Sequence, residues 1–166
     1  MMEKKILVLG VGNILLRDEG IGVRVVEKLE KEYRFSSNVE LMDGGTLGMR
    51  LVDPVYQSDY VIVVDAVQNG EVLGTVYRLS PEDLNKRLKF NNSLHQLDLV
   101  EALVYAEMLG KRPDAVIIGI EPADISPWGT EMTETIEARL PEMCLRVLDE
   151  IEKAGGSYTA MDAAAE

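Results

Sequence analysis

The sequence predicts a three-layer α/β/α domain around a mostly parallel sheet. Two short runs, Ile6 to Leu9 and Tyr60 to Val64, are continuously apolar, as strands covered on both faces must be. Stretches with apolar residues at helical spacing lie between such runs. The strand-like segments end in glycines or acids, the residue types of turns at a sheet edge.

Ile6 to Leu9 reads as the first strand, leading into Gly10-Val11-Gly12. A helix is expected from Asp18 or Glu19, because Ile21, Val25, Leu29 and Tyr33 recur at four-residue steps. Val39 to Met42 reads as a second strand, closed by Asp43-Gly44-Gly45-Thr46, with a short helix through Leu47 to Val55. Tyr60 to Val64 is β-branched and apolar, the pattern of a central parallel strand ending at Asp65. Thr75 to Leu79 is more polar and suits a sheet edge.

Ser80-Pro81-Glu82-Asp83 carries a serine cap, a proline at the first helical position and acids in the first turn. Ser93-Leu94-His95-Gln96 fits a capping box, and the helix after it is expected to bury Leu97, Val100, Leu103 and Val104. Ala115 to Ile120 is a further strand, followed by Glu121-Pro122 and a loop through Ser126-Pro127-Trp128-Gly129. The last helix is expected to bury Ile136, Leu140, Met143, Val147 and Ile151, with Pro141 kinking it or starting a new helix. Residues 1–154 then make one domain, and residues 155–166 are expected to form a flexible tail.

Composition narrows the function. The chain has 17 basic and 29 acidic residues, a net charge of −12, which opposes binding to nucleic acid. No apolar run reaches the ~20 residues of a membrane helix, and no signal peptide is evident. The single cysteine, Cys144, excludes a disulfide framework, and a reducing, cytoplasmic setting is expected. Cys144 lies on an apolar helix stretch, which suits a structural thiol. Trp128, in a Pro/Gly loop, is either part of a binding surface or a local clamp.

Gly10-Val11-Gly12 resembles the start of a dinucleotide-binding turn, but the third glycine of that pattern is replaced by Leu15, and Asp18 and Glu19 follow. Carboxylates repel a phosphate ligand. Ligands of open α/β sheets bind outside the carboxyl ends of the strands, and Glu19, Asp43, Asp65 and Glu121 all fall at or just after strand ends. His95 is the only histidine; in a first helical turn the macrodipole favours its neutral, metal-binding form. Should its helix start lie over this rim, Glu19, Asp65 and His95 form a site for a borderline divalent ion such as nickel or zinc. The alternative is that Asp18 and Glu19 cap the first helix.

The segments GVGNILLRDEGIGVRVVEKLE, LMDGGTLGMRL, VIVVDAV, SLHQLDLVEAL and VIIGIEP, in that order, resemble the hydrogenase maturation endopeptidases of nickel–iron hydrogenases. The resemblance covers nearly the whole chain. It implies a twisted five-stranded sheet between helices, and Glu19, Asp65 and His95 as the metal-binding residues. It implies cleavage of a C-terminal extension from the large-subunit precursor after nickel insertion. Nickel is then carried by the substrate, no permanent cofactor is required, and zinc or cadmium is expected to substitute in vitro. Asp43 is the candidate general base or orienting carboxylate; its other reading is a loop-forming Asx turn. Gly44 and Gly45 would admit substrate backbone, and Glu121 is expected to be structural or to support the site indirectly. Two other functions fit these residues: an autonomous zinc metallopeptidase, and a non-catalytic flavodoxin-like binding module.

Overall fold

In the computed structural model, residues 3–45, 48–83 and 94–161 are described, with the backbone alone for 94–98. Strand β1 (Ile6–Val11) is buried along its whole length. It pairs in parallel with β3 (Val39–Gly45) on one side and β4 (Tyr60–Ala66) on the other. Strand β6 (Asp114–Ile120) adds in parallel to β4, and β5 (Val76–Leu79) closes the edge antiparallel to β6. The order is β3-β1-β4-β6-β5, so the apolar run at 60–64 is the middle strand and the more polar β5 lies at an edge, as expected.

Alternating residues send side chains to the two faces. Ile6, Val8, Ile62 and Val64 pack with α1 (Ile21–Glu32) and α5 (Leu140–Lys153). Leu7, Leu9, Val61 and Val63 pack with α2 (Val52–Gln57) and α3 (Leu94–Met108). The first crossover is unusually close. A Cβ on Gly22 of α1 would stand 2.1 Å from the Val64 carbonyl oxygen, and one on Gly10 would stand 2.4 Å from the Gly22 carbonyl oxygen. Helix and sheet touch backbone to backbone there, which only glycine permits.

Most expected elements are present, with instructive differences. Ser80 and Asp83 form a reciprocal capping box: Asp83 N–H donates to Ser80 Oγ and Ser80 N–H to Asp83 Oδ2, both at 3.1 Å. Pro141 begins α5 rather than kinking it; α4 (Glu134–Glu137) precedes as a separate turn of helix. Tyr33 ends the stripe of α1 as the first residue of strand β2 (Tyr33–Phe35). On α3 the buried stripe is Leu99, Ala102, Leu103 and Ala106, and Val104 is exposed, because the helix is turned by about one residue from the expected stripe. Leu97 and Ser93 lie outside the residues whose side chains are described, as do Thr46 and Leu47 of the expected loop and short helix.

The tail differs most from expectation. Residues 155–161 are docked: β7 (Tyr158–Ala160) pairs antiparallel with β2. Gly155, at φ +100°, is the left-handed residue that stops α5 and reverses the chain. Tyr158 then meets Tyr33 edge to face at 5.5 Å, and Ser157 N–H donates to Ser36 Oγ at 2.9 Å. The glycine pair that reads as looseness in the sequence is a helix stop. Residues 162–166 of the expected tail lie outside the described residues.

Candidate active site at the carboxyl edge of the sheet

The carboxyl ends of β1 and β4 meet the Arg17–Gly20 turn at Gly12. Gly12 has φ +123°, and its N–H donates to the Gly45 carbonyl at 3.0 Å. A Cβ there would stand 2.0 Å from the Glu19 carbonyl oxygen and 3.8 Å from Asp65 Oδ1. Gly12 is thus the contact point where the Glu19 backbone and the Asp65 carboxylate come close. Gly12 makes the turn, and the space a side chain would fill borders two of the expected site residues.

Asp65 is 3% exposed, inside β4 rather than after it. Its Oδ1 accepts the Ala66 N–H at 2.8 Å. By strand alternation it lies on the face of Val61 and Val63, which α3 covers. Glu19 is half-buried on the 3-10 turn that packs against β4. Position 95 falls in the first turn of α3, four residues before buried Leu99. The side chain of His95 lies outside the described residues. Among the described residues no three His, Cys, Asp or Glu side chains gather as an ion site.

Asp43 stands apart from this pair. It pairs with Gly10, which pairs in turn with Val64. That puts Asp43 two strands, ~10 Å, from β4, and one step short of Asp65 along the sheet. Its parity is that of Leu41, on the α1 side. Asp43 is exposed and sits inside β3, which continues to Gly45, so it does not close the strand.

The two remaining acids of the rim do a different job. Asp18 is fully buried, yet it caps no helix; its carboxylate crosses to the loop after β6. It accepts the N–H groups of Ala123 (3.0 Å), Asp124 (2.8 Å) and Thr133 (2.8 Å), and the Thr133 hydroxyl. Glu121, 3% exposed, accepts the N–H groups of Asn69 and Glu71 at 2.9 and 2.7 Å and the Tyr77 hydroxyl at 3.2 Å. Burial, with Glu121 beside it, pushes the Tyr77 phenol up to about 12. Glu121 is structural, one of its two expected roles. Nothing in the sequence distinguishes Asp18 from Glu19 or links it to Thr133, 115 residues away.

Cys144 is 4% exposed, and burial pushes its thiol up to about 11, so it holds no thiolate at neutral pH. Among the described residues no helix is long and apolar enough to cross a membrane.

Fold and rim together define a class: an open α/β domain with carboxylates, rather than a phosphate-binding glycine turn, at its carboxyl edge. The sequence model of the hydrogenase maturation protease family matches residues 23–150. The hydrogenase expression/formation protein HupD of Thiocapsa roseopersicina is 41% identical over 88% of this chain and 68% of its own. The hydrogenase 2 maturation protease of Escherichia coli K12 is 38% identical over 91% of this chain and 93% of its own. The solved structure of the E. coli hydrogenase maturating endopeptidase HybD superposes with a TM-score of 0.89 at 35% identity, covering 99% of this chain and all of that one. The chain belongs to the hydrogenase maturation protease family, and it is a protein-cleaving hydrolase.

Proposed function

We propose that this endopeptidase removes the C-terminal extension of a nickel-loaded hydrogenase large-subunit precursor, reading the nickel through Glu19, Asp65 and His95. The observation that carries this is the meeting of the Glu19 backbone and the buried Asp65 carboxylate at Gly12, with α3 beginning one residue before His95. A carboxylate and imidazole donor set suits a borderline divalent ion and leaves coordination positions open. The open positions suit nickel that stays bound to the substrate. An autonomous zinc peptidase would need its own closed ligand set, and a nucleotide-binding module would need the phosphate turn that Leu15 and the acids replace.

Nickel so held would polarise the scissile carbonyl or acidify a water. Asp65, fixed by the Ala66 N–H and excluded from solvent, supplies a carboxylate of set orientation. Asp43 serves as base or orienting group; its exposure, and its position two strands, ~10 Å, from β4, support contact with the extended chain of the substrate rather than with the ion. Of the two glycines beside Asp43, Gly44 is buried, where a Cβ would stand 2.7 Å from Leu9 Cδ1, so it serves packing; Gly45, at φ +45°, is the one with space for an approaching backbone.

The test pairs ion binding with cleavage. Calorimetric titration with nickel, zinc or cadmium should weaken in Glu19→Gln, Asp65→Asn and His95→Ala. Asp43→Asn should keep most of the ion affinity and the association with loaded precursor, yet cleave ~10²–10⁴-fold more slowly. Unchanged ion affinity in all three ligand variants contradicts the site.

A further inference from the structure

Five exposed apolar side chains sit on loops at the carboxyl edge. Trp128 is 82% exposed, Val72 79%, Met49 60%, Leu73 52% and Leu15 44%. They come from four connections, after β1, β3, β4 and β6, and so surround the edge that holds Glu19 and Asp65. Apolar groups of this size on loops around one site mark a surface that a partner covers.

The loops that carry them are unusually fixed. Leu15 and Trp128 lie on two segments laced together: Gly129 N–H donates to the Leu15 carbonyl and Arg17 N–H to the Gly129 carbonyl, each at 2.9 Å. Arg17 holds φ +53°, a conformation that non-glycine residues seldom adopt. Its guanidinium meets Asp124 at 2.9 Å and the Glu131 carbonyl at 3.2 Å. A Cβ on Gly129 would stand 2.9 Å from Arg17 Cγ, so the two loops close without a gap. Buried Asp18 secures the same loop from below, and buried Glu121 secures residues 69 and 71, next to Val72 and Leu73. A buried carboxylate satisfied by main-chain N–H groups shapes backbone, and here each one shapes a segment that presents apolar side chains to solvent.

We infer that Leu15 and Trp128 on one side, and Val72 and Leu73 on the other, are the docking surface for the folded body of the protein substrate. Asp18 and Glu121 are the positioning residues that hold this surface rigid. This rests on the function proposed above: the chain being cut must reach the same edge, so the body it leaves passes over these loops. The partner surface is apolar with basic residues around it, complementing Glu71 and Glu131, the exposed acids of these loops, on a chain of net charge −12. Rigid loops lower the ordering cost of docking, and an exposed tryptophan is the residue type that most often anchors an interface.

The experiment measures cleavage of nickel-loaded large-subunit precursor by the wild-type chain, Trp128→Ser, Leu15→Ser and Val72→Ser. Leu109→Ser serves as control, because Leu109 is exposed at the other edge, beyond the end of α3. Trp128→Ser should raise KM roughly tenfold or more with kcat within about twofold, the mark of lost binding rather than lost chemistry. The control should match wild type, and urea midpoints should be unchanged throughout. Wild-type cleavage with an unaltered KM in all three rim variants overturns the docking surface alone. Self-association of the wild-type chain that Trp128→Ser abolishes, with KM unaltered, assigns the patch to a second copy and overturns it too. A wild-type chain that neither binds nor cleaves the precursor overturns the proposed function and the docking surface together.

Discussion

The two ends of the sheet use acidic residues in opposite ways. At the amino end, Asp59 sits in solvent reach, 2.9 Å from Lys111 and 2.8 Å from the Lys5 N–H. The Lys5 N–H, and then Lys111, hold its carboxyl below the usual range. At the carboxyl end Asp18, Asp65 and Glu121 are at most 3% exposed, and main-chain N–H groups supply hydrogen bonds to each. Burying a carboxylate costs several kcal/mol, on the order of what a whole domain has in reserve. The amino end buries one acid too, Glu150 at 2% exposure, but its partners there are side chains, the Arg78 guanidinium and the Tyr60 hydroxyl, whereas at the carboxyl edge they include main-chain N–H groups. Side-chain pairing at one end joins α5 to the sheet through Glu150 and holds Asp59 to Lys111, whereas the buried acids Asp18 and Glu121 at the other fix the backbone of loops.

Removing the acids one at a time sharpens this contrast. The largest effect falls on chemistry: Asp65→Asn should slow precursor cleavage by at least ~10²-fold with the circular dichroism spectrum unchanged. Asp18→Ala should be the most damaging to folding. It strands the Ala123, Asp124 and Thr133 N–H groups, so urea unfolding should report a loss of ~3 kcal/mol or more. Gly22→Ala tests the packing beneath the site, since its Cβ would meet the Val64 and Val11 carbonyl oxygens; a loss of ~1–3 kcal/mol is expected.

Ending the chain at Gly156 removes β7 and the Tyr158 ring from Tyr33, far from the rim. A drop in Tm of about 3–6 °C, with catalysis of the remaining folded protein unaltered, is the expected result. Asp59→Ala at the amino end should cost less than ~1 kcal/mol. A larger loss there than at Asp18 would erase the distinction between the two ends.

Alkaline pH gives a further reading. The Cys144 thiol is raised from 9.0 to about 11 and the Tyr77 phenol from 10.0 to about 12, both first by burial. Each group keeps its proton in the folded chain after the unfolded chain has lost it. Their stabilising share is therefore complete below pH ~9 and is lost as the pH rises through the folded values. Urea midpoints should fall between pH ~9 and ~12, and Cys144→Ala should flatten the first part of that fall.

What the sequence made legible follows from local physics. The runs at 6–9 and 60–64 are apolar because both faces are covered, so their centrality in the sheet is readable from composition alone. The Ser80–Asp83 box is readable because its partners are three residues apart. The parts that were not legible depend on distant partners. Tyr158 looks like tail until Tyr33 lies opposite it, and Asp18 looks like a helix cap until Thr133 arrives from across the chain. Val104 and Leu99 are both apolar on one helix, and only the rotation of α3 against β4 and β6 decides which is buried. Of the acids at the carboxyl edge, their clustering was legible from their place at strand ends. That Asp43 and Asp65 fall on opposite faces of the sheet, and that Asp18 and Glu121 tie down loops, was not, because it depends on register and on distant partners.

The central claim is that the carboxyl edge reads nickel in the substrate before cutting. The direct test is the mass of the large-subunit precursor after incubation with this protein, with and without inserted nickel. The account predicts loss of the C-terminal extension from the nickel-loaded precursor only, and no loss from either form with Asp65→Asn. Removal of the extension at equal rates from loaded and nickel-free precursor would contradict it.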